Sequence, residues 1–319
     1  MPPRSPATLS ELSARPIRLI RIQIRIFVVY LLIMTCPALA AAADWTPLTE
    51  RLVADGFNRV AIESLFARPE VLFEPEAMAG KLKALIRSRT NEANSPTVDL
   101  RNSFHRTYLT PWAITRAKAY MSENKAVLGE VAAKYGVPEE IIVSILLIET
   151  HLGRNTGNRC VFNRLASMAR CADLETVLPS LDASLITPDN EEFARRRLRE
   201  KADWAYGELK ALILIAERDG IDPLVIRGSM YGAIGLCQFM PSNVISYGVD
   251  ADRDGRTDPF ATPDALHSIA NYLRGHGWRE DLDREGRHRV IFDYNHSTVY
   301  ANTVLAVAEK IRDRKRTRR

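Results

Sequence analysis

A continuous aliphatic run in the middle of the chain limits the folds that this sequence can adopt. From Ile141 to Ile148 every residue except Ser144 is aliphatic, and a helix that is apolar on all sides must be buried. Pro138 suits the first turn of such a helix, where its missing N–H costs no internal hydrogen bond. The segment from Pro138 to Ile148 is too short to span a bilayer, which needs about 20 residues. The run therefore predicts a helix buried within a protein core.

The last turn of this predicted helix carries a carboxylate, Glu149. The residues three, four and seven positions before it share its helix face, and all are aliphatic: Leu146, Ile145 and Ile142. Removal from water and the negative end of the helix both raise the pKa of the carboxylate toward the range of a general acid. Gly153 and Gly157 permit a turn close by. The same pattern also fits a structural glutamate that is paired with an arginine or a backbone amide.

Helical patterns cover much of the chain, and no strand-like alternation of useful length is present in residues 44–130. With 319 residues, 46% hydrophobic and 26% charged, the sequence is typical of a soluble globular protein with one large domain or two. Residues 1–26 contribute +4 and residues 312–319 contribute +5 to the net charge of +5, which leaves −4 for the rest. Because the positive charge lies at the two ends of the chain, we expect no basic groove for nucleic acid. From the helical patterns we expect a mainly α protein. The predicted helices, besides the central one, are Trp45–Asp55, Val60–Phe66, Glu76–Arg87, a stretch running on from Pro111 to Tyr135, Glu191–Glu217, Pro263–Trp278 and Val299–Arg312.

The first 40 residues have the layout of a bacterial secretory signal. Four arginines (Arg15, Arg18, Arg21 and Arg25) precede the short apolar run Phe27–Met34 and the small-residue site Ala38-Leu39-Ala40. We expect cleavage after Ala40 and export to the periplasm. An uncleaved anchor is the alternative, although the run is short for a span, and Ile33-Met34-Thr35 is a poor signal for lipid attachment at Cys36. At the other end, the basic tail 312–319 allows peripheral contact with an anionic polymer or membrane surface.

Three cysteines remain after the signal: Cys160, Cys171 and Cys237. An oxidising compartment permits disulfides, and Cys160 and Cys171 flank a short segment just after the central helix. A bond between them would close a small loop and contribute roughly 2–3 kcal/mol. We therefore predict a Cys160–Cys171 disulfide, with Cys237 as a buried thiol.

A glycine-rich segment follows at Gly228–Ser242. Its glycines (Gly228, Gly232 and Gly235) allow close backbone approach, and Ser229 and Gln238 offer neutral hydrogen-bonding groups. No Gly-Lys-Ser/Thr element follows, so the segment is not a phosphate loop. It fits either a ligand site or tight helix packing through small residues.

The segment 250–264 partly matches a calcium loop. Positions 1, 3 and 5 are Asp250, Asp252 and Asp254, and Gly255 stands at position 6, as the oxygen ligands and sharp turn of such a loop require. Arg256 would contribute its carbonyl oxygen. Position 12 carries Ala261 instead of the usual bidentate glutamate, although Asp264 could supply that carboxylate. The alternative is a solvated acidic turn.

Together these motifs resemble the B-type membrane-bound lytic murein transglycosylases, glycoside hydrolase family 103. The resemblance runs from about Tyr108 to Ile311. It is carried by five ordered stretches: YGVPEEIIVSILLIETHLGRNTG, RGSMYGAIGLCQFMPS, YGVDADRDGRTDPFATPDAL, IANYLRGHGW and YNHSTVYA. The segment 160–191 departs from the pattern of the family. For residues 44–107 the sequence predicts only an N-terminal helical region.

The resemblance implies a mainly α fold, with a lysozyme-like catalytic domain over residues 108–311 and a small inserted EF-hand-like subdomain around the calcium loop 250–264. It implies cleavage of the MurNAc-β-1,4-GlcNAc bond of peptidoglycan glycan strands with formation of 1,6-anhydromuramoyl ends, and we expect a monomer. Glu149 matches the catalytic acid/base of the family, and Ser229 the serine that orients it. Positions lining the glycan cleft match Gln238, Tyr272, Tyr294 and Asn295. Asp264 matches a carboxylate of the calcium loop, so Ca²⁺ is the expected, structural cofactor.

Two other functions stay open on the residues alone. A lysozyme-type hydrolase would share Glu149 but use a bound water, whereas a non-catalytic scaffold would only bind peptidoglycan. Ordinary glycosidases need two carboxylates, and Asp293 is the sole nearby candidate for a second one. A single tuned carboxyl group suits attack by the C6 hydroxyl of the sugar itself, which needs no water.

Overall fold

The computed structural model describes residues 43–94 and 100–313. The predicted signal peptide and most of the basic tail lie outside these residues. The described residues from Trp45 on belong to one compact unit. In the first half the helices are α1 (Thr46–Ala54), α2 (Arg59–Phe66), α3 (Glu76–Asn94), α4 (Pro111–Glu123), α5 (Lys125–Tyr135) and α6 (Glu139–Thr150). In the second half they are α7 (Val161–Arg170), α8 (Leu174–Val177), α9 (Glu191–Asp219), α10 (Pro241–Tyr247), α11 (Thr262–Gly275), α12 (Arg284–Asn295) and α13 (Thr298–Arg312).

Helix α6 occupies the core, as its aliphatic run predicts. Every residue from Ile141 to Leu147 is buried, and α13 and α4 pack along it. The helix begins at Glu139, directly after Pro138, whose backbone is extended (φ −59°, ψ 138°). Six buried aliphatic side chains in one helix contribute roughly 1.5–3 kcal/mol each to folding, so this helix anchors the elements around it.

The stretch predicted as one helix from Pro111 to Tyr135 is two helices. They are separated by Asn124, which has φ −110° and ψ 24°. Its side-chain amide donates to the carbonyl oxygen of Tyr120 at 2.9 Å. Asparagine competes in this way for backbone groups that a continuing helix would use, and α5 therefore starts anew at Lys125.

A short antiparallel ladder, which the sequence did not reveal, joins two distant segments. Strand β1 (Arg159–Cys160) pairs with β2 (Arg227–Gly228). The backbones meet so closely that a Cβ on Gly157 would lie 2.1 Å from the carbonyl oxygen of Gly228. Glycine is therefore required at position 157, and the ladder holds the segment after α6 against the glycine-rich segment.

The predicted Cys160–Cys171 disulfide is wrong: both residues are free cysteines. Cys160 caps the N-terminus of helix α7 and Cys171 caps its C-terminus. Ten helical residues separate the two caps by about 15 Å, whereas a disulfide needs Cα atoms within about 7 Å. The Sγ of Cys160 instead lies 3.5 Å from the carbonyl oxygen of Leu224.

The N-terminal helices pack into the same unit as the rest of the described chain, with no separate compact unit ending at residue 107. The loop after α2 is hydrogen-bonded to α7: the side chain of Asn163 donates to Glu70 O at 2.9 Å, and Glu74 N donates to Ser167 Oγ at 2.7 Å. Arg164, which is buried, pairs with Glu74 at 2.9 Å. Among the helices described, none has the length and apolar character needed to cross a membrane.

Candidate active site

Glu149 lies in the last turn of α6, where the chain bends sharply. His151 and Leu152 both have left-handed backbone conformations, with φ of 52° and 63°, which cost energy in residues other than glycine. The hydroxyl of Thr150 donates to the carbonyl oxygen of Leu236 at 3.1 Å and accepts from Gly153 N at 3.0 Å. These bonds fix the turn against the glycine-rich segment, so Glu149 is held between two rigid elements.

The surroundings of Glu149 change its acidity. Burial of the carboxylate raises its pKa from the ordinary 4.5 to about 7, although hydrogen bonds from Tyr300 and Asn295 act in the opposite direction. The hydroxyl of Tyr300 donates to Glu149 Oε1 at 2.7 Å. The residue as a whole is half-buried, so the carboxyl group is crowded by protein yet keeps access to the surface. A group of this acidity can both give and take a proton at neutral pH.

Tyr300 is the residue of this site that sequence reasoning missed. It is buried in the first turn of α13, and Ser297 caps that helix by accepting from Tyr300 N at 3.2 Å. Burial and the neighbouring Glu149 raise the pKa of Tyr300 well above its ordinary value, so its hydroxyl stays a donor. One feature of the sequence could have indicated its role: Tyr300 stands among the apolar positions of a helix, shortly after the Tyr294-Asn295 pair.

Ser229, to which the resemblance assigns the role of orienting Glu149, has a hydroxyl that takes part in a turn within its own segment. Its hydroxyl accepts from Ala233 N at 3.0 Å, and its backbone N–H donates to Ala233 O at 2.8 Å. Serine favours such local turns because its side chain bonds nearby backbone groups. The hydroxyl of Tyr300 donates to the carboxylate of Glu149, and Asn295, an exposed residue at the end of α12, contributes to lowering its pKa.

The other predicted cleft residues form a connected wall beside Glu149. The rings of Tyr300 and Tyr294 are parallel within 9° at 6.3 Å, and the rings of Tyr294 and Tyr272 meet edge-on at 5.0 Å. Tyr294 donates to Cys237 O at 2.6 Å and Tyr272 to Asp293 O at 2.9 Å. Both hydroxyls are thus engaged within the protein, which makes the wall rigid.

Gln238 joins the two segments on either side of the β ladder. Its backbone is left-handed (φ 50°), and its side-chain amide donates to Thr156 O at 3.1 Å and to Gly235 O at 2.9 Å. The residue is half-buried. Its NH₂ group is used inside the protein, and its amide oxygen is the polar atom left for a ligand.

The acidic segment forms a loop between α10 and α11. The carboxylates of Asp250, Asp252 and Asp254 offer oxygen atoms that all lie within 4.8 Å of one another. Oδ1 of Asp250 is buried and has no hydrogen-bond partner, which is costly for a carboxylate oxygen without a cation. The donor set consists of hard oxygen atoms, which Ca²⁺ prefers, so the residues present fit a calcium ion.

Asp264 and Arg256 take different positions from those three. Asp264 is buried and lies outside the carboxylate cluster; its two oxygens accept from Ala251 N and Asp258 N, each at 2.8 Å. Asp264 therefore links two parts of the loop through these backbone hydrogen bonds. The backbone N–H of Arg256 donates to Oδ1 of Asp254 at 2.8 Å.

Comparison with known proteins identifies the family of the chain. Residues 40–287 match the model of the transglycosylase SLT domain. The membrane-bound lytic murein transglycosylase B of Escherichia coli is 27% identical over 230 residues, which are 70% of this chain and 54% of that protein. The chain thus spans about half the length of this relative.

Two solved structures share the fold at low identity. The lytic transglycosylase SLT35 of Escherichia coli, in complex with calcium, superposes with a TM-score of 0.60 at 22% identity, covering 86% of this chain and 94% of that one. SltB3 of Pseudomonas aeruginosa, in complex with NAG-NAM-pentapeptide, gives a TM-score of 0.57 at 21% identity, covering 85% and 79%. The mainly α, lysozyme-like fold is therefore confirmed. With most of its length matched by the domain model, the chain belongs to the transglycosylase SLT family.

Proposed function

We propose that this protein is a lytic transglycosylase that cleaves the MurNAc-β-1,4-GlcNAc bond of peptidoglycan glycan strands and leaves 1,6-anhydromuramoyl ends. The observation that carries the proposal is the single carboxyl group, Glu149, whose pKa is raised to about 7 by burial. Membership of the SLT family supports the substrate class, and the murein transglycosylase B of Escherichia coli supports the reaction.

In the proposed reaction Glu149 acts twice. As a carboxylic acid it gives its proton to the glycosidic oxygen, and the bond from that oxygen to C1 of MurNAc breaks. As a carboxylate it then takes the proton of the C6 hydroxyl of the same MurNAc, whose oxygen bonds to C1. The proton count of Glu149 is thereby restored and no water enters the product. The internal nucleophile gains the advantage of a unimolecular attack.

The surroundings of Glu149 favour this reaction over a lysozyme-type hydrolysis. Hydrolysis with two carboxyl groups needs a second carboxylate about 5–9 Å away that acts as nucleophile or base. The pKa of Glu149 is set by burial, Tyr300 and Asn295, and no other charged group contributes within the described residues. Asp293 accepts a hydrogen bond from Tyr272 at its backbone carbonyl oxygen, and none of the hydrogen bonds among the described residues joins it to Glu149.

Mass spectrometry of the products from purified murein sacculi tests the reaction. We expect muropeptides that are one water lighter than reducing ends and that carry no ¹⁸O when the digestion is run in H₂¹⁸O. Reducing products with one ¹⁸O would instead identify a hydrolase, and sacculi that stay intact would favour the binding scaffold.

We further propose that Ser229, Gln238, Tyr272, Tyr294 and Asn295 line the glycan cleft next to Glu149. Asn295 is exposed at the end of α12 and lowers the pKa of Glu149 against the effect of burial, and the half-buried Tyr294 lies beside Tyr300, whose hydroxyl donates to Glu149. The periplasm is the location that fits a peptidoglycan substrate and the N-terminal sequence. Export, a peripheral membrane contact of the basic tail and a monomeric state remain proposals from the sequence.

For the acidic loop we propose structural binding of Ca²⁺ through Asp250, Asp252 and Asp254, with the carbonyl oxygen of Arg256. The unpaired oxygen of Asp250 supports this, and one structure with the same fold contains calcium. When bound, the ion would neutralise the clustered negative charge. We keep Asp264 as a candidate ligand, although its oxygens already accept backbone hydrogen bonds.

Removal of calcium should lower thermal stability. A ligand at about 100 times its Kd stabilises a protein by about 2.7 kcal/mol, or about 5–10 °C in Tm for a domain of this size. We expect differential scanning calorimetry to show this shift between 1 mM Ca²⁺ and excess chelator, and to show none in Asp250→Asn. The exposed pair partner Asp281 provides a control, since Asp281→Asn should keep the shift. An equal Tm with and without Ca²⁺ in the unmodified protein would remove the calcium proposal.

A further inference from the structure

A cavity lies beside the turn that follows Glu149, against helix α4. Its volume is about 230 Å³, and its lining residues are Arg116, Ala119, Tyr120, Glu123, Leu152 and Arg154. Pockets for whole small ligands measure about 300–1,000 Å³, so this cavity has room for one residue-sized part of a larger ligand. None of its lining residues belongs to the cleft proposed above.

The guanidinium group of Arg116 is held in place before any ligand arrives. Its Cζ lies 4.7 Å from the ring centroid of Trp112, and its Nη2 donates to the carbonyl oxygen of His151 at 3.5 Å. An arginine fixed by a ring face and a carbonyl loses less freedom when it binds an anion. Trp112 itself is 64% exposed, so most of its apolar surface is open to a ligand.

Both arginines of the cavity are available to an anion. Among the residues that the structure describes, neither Arg116 nor Arg154 pairs with a carboxylate, whereas Arg59, Arg68 and Arg195 each pair with two. Glu123 lines the same cavity, but it stands seven residues after Arg116 on α4, about 10 Å along the helix axis. The cavity is therefore lined by two arginines and one glutamate, and Arg116 lies toward the turn through its contact with His151.

The turn after Glu149 borders the cavity. Leu152 N donates to Leu146 O and Asn155 N donates to Thr150 O, both at 3.0 Å, so the chain folds back on the end of α6. Arg154 belongs to this turn, five residues after Glu149 in the sequence. Leu152 lines the cavity with a left-handed backbone, and strained conformations of this kind concentrate at ligand sites.

We infer that the cavity binds a carboxylate of the peptide stem on the MurNAc residue that is cleaved. This inference rests on the proposed function, because a MurNAc held at Glu149 directs its stem toward neighbouring surface. Guanidinium groups bind carboxylates through two parallel, charge-assisted hydrogen bonds, and Trp112 at the rim can cover the apolar part of the peptide. Arg116 and Arg154 then select stems with free carboxylates over amidated ones.

Equilibrium binding tests this without relying on turnover. The ligand is a disaccharide-pentapeptide, used once with free stem carboxylates and once with these converted to carboxamides, and the Kd is measured by calorimetry in the Glu149→Gln background. We expect Arg116→Gln with Arg154→Gln to raise the Kd about tenfold for the carboxylate ligand and less than about twofold for the amide. Arg154→Gln alone, at an exposed position, should give part of this effect.

Two control variants sharpen the test. Arg199→Gln, at an exposed arginine of α9 outside the cavity, should leave both Kd values unchanged. Glu123→Gln should leave the carboxylate Kd unchanged or lower it, because a negative charge is removed. Equal changes for both ligands in the double variant, no change for either, or weaker binding in Glu123→Gln would each overturn the inference. Failure of the proposed function would show separately, as reducing products or no products from the unmodified protein.

Discussion

Glu149→Gln should abolish glycan cleavage while leaving the fold intact. The amide keeps the shape of the side chain and can still accept from Tyr300 (2.7 Å from the carboxylate oxygen), but it has no acidic proton to give. Loss of a general acid costs about 10²- to 10⁴-fold in rate. The rate at which soluble muropeptides are released from sacculi measures this loss of activity.

The stability of this variant has a predictable sign. The pKa of Glu149 is higher in the folded state (about 7) than its ordinary 4.5, so the stability that the group contributes is present below pH 4.5 and is lost as pH rises through 7. A neutral glutamine avoids this loss. We therefore expect the Tm of Glu149→Gln to equal or exceed that of the unmodified protein at pH 8.

A matched substitution separates the role of position 149 from that of its helix. Glu139→Gln makes the same chemical change in the first turn of α6 and should cost only about 0.3–1 kcal/mol through the helix dipole, with cleavage retained. A Glu149→Gln protein that still cleaves, or one that loses activity because it has unfolded, would count against the assigned role.

Gly157→Ala should damage both stability and activity. Position 157 has φ +90°, which costs about 1–2 kcal/mol for an L residue, and the new Cβ would stand 2.1 Å from Gly228 O. Backbone atoms at that distance must move apart, which opens the contact between the turn after α6 and the glycine-rich segment. We expect a total cost of at least about 3 kcal/mol, or about 6–12 °C in Tm, together with a large fall in cleavage rate.

Gly277→Ala is the control for this prediction. Position 277 has nearly the same backbone conformation, φ +92°, but an added Cβ would meet nothing within 4 Å. It therefore carries the conformational cost without the clash, and its Tm should fall by only about 2–8 °C, with cleavage preserved. Equal losses of Tm and activity in the two variants would show that the close approach to Gly228 is unimportant.

The central helix was predictable because its signal is local. An aliphatic run of that length can only be buried, and Glu149 at its end shares the apolar face by helical spacing alone. The rise in its pKa follows from burial. Two other features were predictable for the same reason: the glycines that permit close backbone contact and the three clustered aspartates. Each depends on residues that are adjacent in sequence.

What the sequence did not reveal depends on distant partners. Helix α7 buries polar residues (Asn163, Arg164 and Ser167) that bond the loop at residues 70–74, and these interrupt the apolar period by which helices are recognised. The same helix separates Cys160 from Cys171, which no spacing rule foresees. Tyr300 reaches Glu149 across 151 residues of sequence, so its place beside the carboxylate emerges only in the folded chain.

The protonation state of Glu149 at neutral pH can be measured directly. The infrared carbonyl band of a protonated carboxylic acid, taken as the difference between the unmodified protein and Glu149→Gln, should disappear with a midpoint near pH 7, in accord with the raised pKa. A midpoint near the ordinary value of 4.5 would mean that the group is ionised at neutral pH and cannot supply the proton on which the proposed cleavage depends.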